Sequence, residues 1–372
     1  MAAWSISAWA AATFAVLAVS AVVTWWSVAY AHRRNLIDHP GQRRSHVVPT
    51  PRGGGIGIVA ATVFGNAIVF LSLGEGYERL NVLALTGAML AVAAVGWVDD
   101  HRGLSARVRL AVHCLAALLL IGVGPLMLGA ASGVANAGIF GLALLVSMAA
   151  FGVVWSINLH NFMDGIDGLL AMQAMYVFCV LAALCIQADR LTEAGRIALC
   201  AAATLGFVPF NFPRARVFMG DVGSGALGLL IAVVIGWQIA TLPIAMASGL
   251  IAASAFLVDA TATLVSRILR GRRWYSAHRE HLYQWLARSG RSHAQVVALY
   301  AGWNLLMVTP VLWWINRVPG AAVVPQPAQD FFVKSGTQAL LAVYALAVLV
   351  WILGKRYCLK HAPRRARGLR AQ

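Results

Sequence analysis

Apolar residues run along this chain in blocks of about twenty, the length a helix needs to cross a bilayer, separated by short polar stretches. Eleven such blocks are read, near 8–31, 53–73, 80–98, 106–129, 137–157, 168–187, 195–212, 222–240, 243–268, 294–316 and 335–354. The block at 195–212 is short, and those at 222–240 and 243–268 nearly fuse, so ten to twelve spans fit the pattern. No stretch alternates with the period of two that marks a half-buried strand, and no internal repeat emerges. The expected fold is all-α: a polytopic integral membrane protein with about 11 transmembrane helices.

Composition excludes a water-soluble globule. The chain is 60% hydrophobic and 11% charged, with a mean hydropathy of +0.75, whereas soluble domains carry roughly 25% charged residues. Its 372 residues are divided into one membrane domain at 1–354 and a basic tail at 355–372. Cys114, Cys179, Cys185, Cys200 and Cys358 lie in or beside apolar blocks without CxxC spacing, and read as small buried hydrophobes. The first block ends in Ala29-Tyr30-Ala31, but no Lys or Arg precedes it and it far exceeds a signal-peptide core, so a retained anchor helix is expected.

The net charge of +16 would suit nucleic acid, but its distribution argues otherwise. With the Met1 end placed outside, the inward loops at 32–52, 99–109, 213–221 and 267–293 and the tail after 354 hold 24 of the 29 Lys and Arg residues. Outward loops hold Arg79, Arg190, Arg196, Arg317 and Lys334. This is the positive-inside pattern, which predicts an external N-terminus and a cytoplasmic C-terminus and excludes a need for nucleic acid. Arg364, Arg365, Arg367 and Arg370 in the tail are suited to resting on anionic lipid.

Only 13 residues are Asp or Glu, and Asp38, Asp99, Asp100, Asp164, Asp167, Asp221 and Glu280 all fall on the face predicted to be cytoplasmic. Adjacent carboxylates such as Asp99 and Asp100 repel unless cations offset them; Arg102, Arg107 and Arg109 supply such offset if the pair is merely a solvated helix end. In Asn158-Leu-His-Asn161-Phe-Met-Asp164-Gly-Ile-Asp167-Gly168, Asp164 and Asp167 share one face of a first helical turn. A helix cap would need only one of them. Oxygen donors of this kind suit Mg²⁺ or Mn²⁺ bound together with phosphate. Asn211-Phe-Pro-Arg214-Ala-Arg216 leads into Gly220-Asp221-Val-Gly223-Ser224-Gly225, where glycines at a helix start let backbone N–H groups approach an anion; an ordinary turn would look similar.

Arg43, Arg44, His46 and Arg52 precede three glycines in a loop of the same kind. Arg272, Arg273, His278, Arg279 and His281 in one inward loop form a candidate diphosphate clamp. Asp259 lies inside a span, where an acid is costly and is usually functional or paired; Arg267 is two turns away, too far for an easy pair.

Together these stretches resemble the polyprenyl-phosphate N-acetylhexosamine-1-phosphate transferases, the multi-pass enzymes related to the phospho-N-acetylmuramoyl-pentapeptide translocase. The matching features arrive in family order: Pro-Thr-Pro-Arg52-Gly-Gly-Gly, Asp99-Asp100, N-x-x-N-x-x-D-G-x-D-G at 158–168, N-F-P…F-M-G-D-x-G-S at 211–224, and a late His-containing loop. The resemblance implies transfer of a sugar-1-phosphate from a UDP-N-acetylhexosamine to undecaprenyl phosphate, releasing UMP with Mg²⁺, at the bacterial inner membrane. It further implies that Asp221 and Asn161 hold the metal and that Asp99, Asp100, Asp164, Asp167 and His281 form the catalytic set. Arg52, Asn158, Asn211, Arg272, His278 and Arg279 are then expected to bind substrate, and a homodimer is allowed.

The sugar-phosphate transferases often carry His-x-His-His where this chain reads His281-Leu-Tyr-Gln284, and the peptidoglycan enzyme has three consecutive His residues. The departure disfavours the muramyl-pentapeptide substrate, leaves the hexosamine open, and favours a branch that starts O-antigen-like surface polysaccharide. A CDP-alcohol phosphotransferase fails as a rival because Met172 stands where its motif needs Arg. A transporter is the non-enzymatic rival, but it usually places its ionisable residues at mid-membrane, whereas here they gather at one face.

Overall fold

A computed structural model describes residues 4–39, 48–73, 76–123, 138–239, 245–273, 278–317 and 326–361. The basic residues Arg43, Arg44, His46 and those from Arg364 onward lie outside the described residues. In chain order the elements are α1 (Ile6–Arg33), β1 (Ile37–Asp38), β2 (Thr50–Pro51), α2 (Ile56–Ser72), α3 (Tyr77–Arg102), α4 (Ala106–Val123), α5 (Gly138–Met163) and α6 (Leu169–Gln187). There follow α7 (Leu191–Asn211), α8 (Asp221–Ile239), α9 (Ala245–Ala252), α10 (Ser254–Leu269), α11 (Leu282–Arg288), α12 (His293–Trp303), a π-helical turn (Asn304–Val308), α13 (Thr309–Ile315) and α14 (Gln326–His361).

Within the described residues, each expected apolar block falls on helix, the one at 243–268 on a bent pair. Among the described residues, eight helical spans are long and apolar enough to cross a membrane; Met246–Ala252 with Ser254–Leu269, bent by 74°, brings the number to nine, and Ile56–Ser72 and Asp221–Gly236 are shorter apolar helices. Large apolar side chains such as Phe14, Trp25, Phe140 and Phe151 are exposed on the outer helices, as lipid-facing residues must be. The chain is therefore an all-α polytopic membrane protein. The one departure is the antiparallel pair β1–β2, with Ile37 opposite Pro51 and Asp38 opposite Thr50, two residues a side and thus too short to leave an alternating pattern. Helix α14 runs on to His361, carrying Lys355, Arg356 and Lys360 beyond the expected domain boundary.

The centre of the bundle is α8, where Ala226, Leu227, Leu229, Leu230 and Ile231 are all buried. Small residues let its neighbours close in. Ser156 of α5 donates from Oγ to the Gly228 carbonyl at 2.7 Å, and a Cβ at Gly55 would stand 2.4 Å from the Gly223 Cα. The backbones before α2 and in α8 thus touch without an intervening side chain. This contact brings the starts of α2 and α8 to one end of the bundle.

The intramembrane Asp259 on α10 is 2% exposed and is paired, though not with Arg267. It accepts hydrogen bonds from Leu282 N at 2.7 Å, Tyr283 N at 3.3 Å, Tyr300 Oη at 2.6 Å and Trp351 Nε1 at 3.1 Å. One carboxylate therefore gathers α10, α11, α12 and α14.

Candidate active site

A cavity of about 310 Å³ opens where the helix ends meet, lined by Asp38, Arg52, Asn161, Asp164 to Asp167, Asn211, Phe218, Gly220, Asp221, Gln284 and His293. Its first wall is the Pro51–Gly55 segment, zipped to the approach to α8: Phe218 N donates to Pro51 O at 2.8 Å, Gly54 N to Phe218 O at 2.9 Å and Gly55 N to Met219 O at 2.9 Å. That pairing sets Arg52 beside two acids, 3.2 Å from Asp38 Oδ2 and 3.5 Å from Asp100 Oδ1.

The adjacent acids at the end of α3 point different ways. Asp100 Oδ2 accepts from Val222 N at 3.3 Å, in the first turn of α8. Gly220 has φ +74°, and a Cβ there would stand 2.5 Å from Asp100 Oδ2, so both conformation and space require glycine. Asp99 accepts from Leu104 N and pairs with Arg109 Nη1 at 2.6 Å. The same Arg109 nitrogen lies 3.4 Å from Asp221 Oδ2. Asp99 is thus joined to the cavity acid Asp221 through one guanidinium.

The 158–168 stretch runs from the end of α5 into α6. Asn161 Nδ2 donates to Ser224 Oγ at 3.1 Å. Asp167 Oδ2 accepts from Ala215 N at 3.1 Å and faces His293 Nδ1 at 3.3 Å. Asn211 braces the turn with both ends of its amide: Oδ1 accepts from Gly168 N at 2.9 Å and Nδ2 donates to Val217 O at 3.0 Å. Asp164 has burial and the charges of Asp221 and Asp100 against it, which push its carboxyl up to about 8. Burial is the larger cause, and the two neighbouring acids add to it.

The placement of the expected residues divides them. Arg52, Asn161, Asp164, Asp167, Asn211 and Asp221 line one cavity, with Asp100 and Asp99 linked to it by arginines. Asn158 is elsewhere: its Nδ2 donates to Val154 O at 2.7 Å and lies 3.3 Å from His113 Nδ1. Arg272, His278, Arg279 and His281 do not line the cavity. Arg272 is bound at 2.9 Å to Glu280, which Arg267 also contacts; Arg288 Nη1 donates to Arg279 O at 3.3 Å. His281 is buried, with Nδ1 4.0 Å from Asp259, and its ring centroid is 5.0 Å from that of His278. Burial, with His281 and Arg267 nearby, pushes His278 down to about 4.

From that loop the cavity receives Gln284 instead. Gln284 Nε2 donates to Tyr283 Oη at 3.1 Å, and Tyr283 Oη to the Phe162 carbonyl at 2.9 Å, beside the Asp164 turn. Asp38, Gln284 and His293 are lining residues that motif reading did not single out for the site. Asp38 and His293 are isolated in sequence; Gln284 was visible only as a departure from His.

Among the described residues no three His, Cys, Asp or Glu side chains converge as a metal-holding group. Magnesium does not require one, since it binds through one or two carboxylates with waters and substrate phosphates. Oxygen donors on Asp221 and Asn161, which line the same cavity, fit that ion.

The family model described as glycosyl transferase family 4 matches residues 82–238. A decaprenyl-phosphate N-acetylglucosaminephosphotransferase of Mycobacterium tuberculosis is 30% identical over 332 residues, covering 76% of this chain and 78% of the relative. An undecaprenyl-phosphate alpha-N-acetylglucosaminyl 1-phosphate transferase of Yersinia pestis is 27% identical over 343 residues, covering 89% and 86%. A phospho-N-acetylmuramoyl-pentapeptide-transferase of Deinococcus radiodurans is 35% identical, but over 201 residues that cover 49% and 60%.

Proposed function

The chain belongs to glycosyl transferase family 4 as a polyprenyl-phosphate phosphosugar transferase, and from that premise we propose that it moves an N-acetylhexosamine 1-phosphate from a UDP-sugar to undecaprenyl phosphate. An oxygen of the lipid phosphate forms a bond to the sugar-bearing phosphorus. The bond from that phosphorus to the bridging oxygen breaks, and the bridging oxygen leaves with UMP. The observation that carries this reading is that Arg52, Asn161, Asp164, Asp167 and Asp221, from well-separated motifs, line one cavity.

In phosphoryl transfer, positioning and charge neutralisation do most of the work. Arg52, steadied by Asp38 and Asp100, presents a guanidinium to phosphate oxygens. Asp221 and Asn161 are the proposed magnesium ligands, and bound Mg²⁺ would neutralise charge on the diphosphate and the departing UMP. The lipid phosphate is already largely ionised near neutrality, its second pKa being about 6, so a strong base is not needed. Asp164, whose carboxyl at about 8 keeps its proton near neutrality, is suited to orienting that phosphate by donating a hydrogen bond to it.

The N-terminus is proposed to lie outside and the cavity at the cytoplasmic face of the bacterial inner membrane, where UDP-sugars are made. The long matches to N-acetylglucosamine enzymes and the short match to the pentapeptide enzyme support a hexosamine donor over the peptidoglycan precursor. The product would start a surface polysaccharide of the O-antigen type. Purified protein given undecaprenyl phosphate, Mg²⁺ and each UDP-N-acetylhexosamine in turn should release UMP with at least one of them. Silence with all of them would sink the proposal.

A further inference from the structure

His293 is the first residue of α12, behind a Ser292 cap whose Oγ accepts from Gln295 N at 3.2 Å. It reaches the same cavity as Asp164 and Asp221. Its Nδ1 is occupied, 3.3 Å from both Asp167 Oδ2 and Asp167 N. Asp167 is itself fixed by Ala215 N at 3.1 Å, so the ring is held by a braced carboxylate. No described residue bonds Nε2.

Among the described residues lining the cavity, Arg52 is the one permanent cation, and it is shared with Asp38 and Asp100. An anionic substrate entering among Asp38, Asp164, Asp167 and Asp221 needs hydrogen-bond donors beyond that shared guanidinium. Because Nδ1 accepts from the Asp167 N–H, the neutral ring carries its proton on Nε2, which is the nitrogen left to donate into the cavity.

We propose that His293 Nε2 donates a hydrogen bond to a phosphoryl oxygen of the reacting substrates, making His293 a substrate-contacting residue of the transferase. The inference rests on the transferase reading above. The plainer role is that His293 only steadies Asp167 through Nδ1.

Amide substitutions separate the two roles, because a Gln side chain places its nitrogen near the position of Nε2 and an Asn side chain near that of Nδ1. Full-length wild type, H293A, H293N and H293Q would be purified as monodisperse protein and assayed with UDP-N-acetylglucosamine and undecaprenyl phosphate, varying each substrate. A charge-assisted hydrogen bond predicts a fall in kcat/KM of about 10- to 100-fold for H293A, with H293Q retaining more activity than H293N. A rise in KM for the UDP-sugar alone assigns the contact to the donor diphosphate. A rise for the lipid alone assigns it to the acceptor, and a fall in kcat alone assigns it to the transition state.

H293A matching wild type, or H293N equalling or exceeding H293Q, overturns the proposal. The N-versus-Q comparison decides even if the alanine variant fails to fold. A wild-type protein that releases no UMP from any UDP-N-acetylhexosamine would instead overturn the transferase reading itself.

Discussion

Arg109 Nη1 on α4 and Asp221 Oδ2 at the start of α8 lie 3.4 Å apart across 112 positions of sequence, and the same nitrogen holds Asp99 at 2.6 Å. A proposed metal ligand therefore shares a cation with a neighbouring acid. Removing that cation makes the potential around Asp221 more favourable to Mg²⁺ and leaves Asp99 with Leu104 N but no ion pair. R109A should lower the Mg²⁺ concentration giving half-maximal activity while reducing kcat, as magnesium titrations of purified protein would reveal. A higher Mg²⁺ requirement would contradict the competition.

Asp221→Asn keeps the shape of the side chain but removes the charge proposed to hold magnesium. Transfer should fall by at least about 100-fold, the scale lost when a key electrostatic group is deleted from an active site, with elution from size exclusion unchanged. Near-normal Mg²⁺-dependent UMP release from D221N would place the metal elsewhere.

Asp164 gives a pH dependence whose sign follows from its raised pKa. Its folded value is about 8 against about 3.9 for an unperturbed Asp, so the unfolded chain loses this proton first. The associated stability is full below about pH 4 and is lost progressively as pH rises to about 8. In EDTA, Tm should drop between pH 5 and pH 8.5, and D164N should flatten that slope. An equal slope in D164N would show that other groups govern it.

Asp259 offers a stability test away from the cavity. D259A would leave two backbone N–H groups, the Tyr300 hydroxyl and the Trp351 indole without their acceptor. A loss of about 3–5 kcal/mol is expected, as for breaking a buried charged network. Thermal scans in detergent should show D259N, which keeps an acceptor oxygen, falling between D259A and wild type.

The helices were legible in the sequence because lipid demands an unbroken apolar run, and within the described residues each of the eleven blocks is helical, with a bend in 243–268 and a π-helical turn in 294–316. The acids of the cavity were legible too, since a carboxylate at a helix end in an acid-poor chain stands out. Side-chain direction was not. Asn158 and Asn161 sit three apart in one motif, yet the first turns toward His113 and the second lines the cavity. His281 is buried off the cavity, 4.0 Å from Asp259, while His293, twelve positions on and in no motif, reaches the cavity. Asp38 depends on β1–β2, a pair with only two residues in each strand.

The cavity draws its walls from residues as early as Asp38 and as late as His293. A growing chain is made and inserted from its N-terminus, so the acids through Asp221 are synthesised before Gln284 and His293. Biogenesis therefore passes through a stage with the whole acid set but no closing wall. Chains interrupted after α8 would keep that acid set but lack Gln284 and His293, so the cavity is completed only when the last third of the polypeptide is delivered.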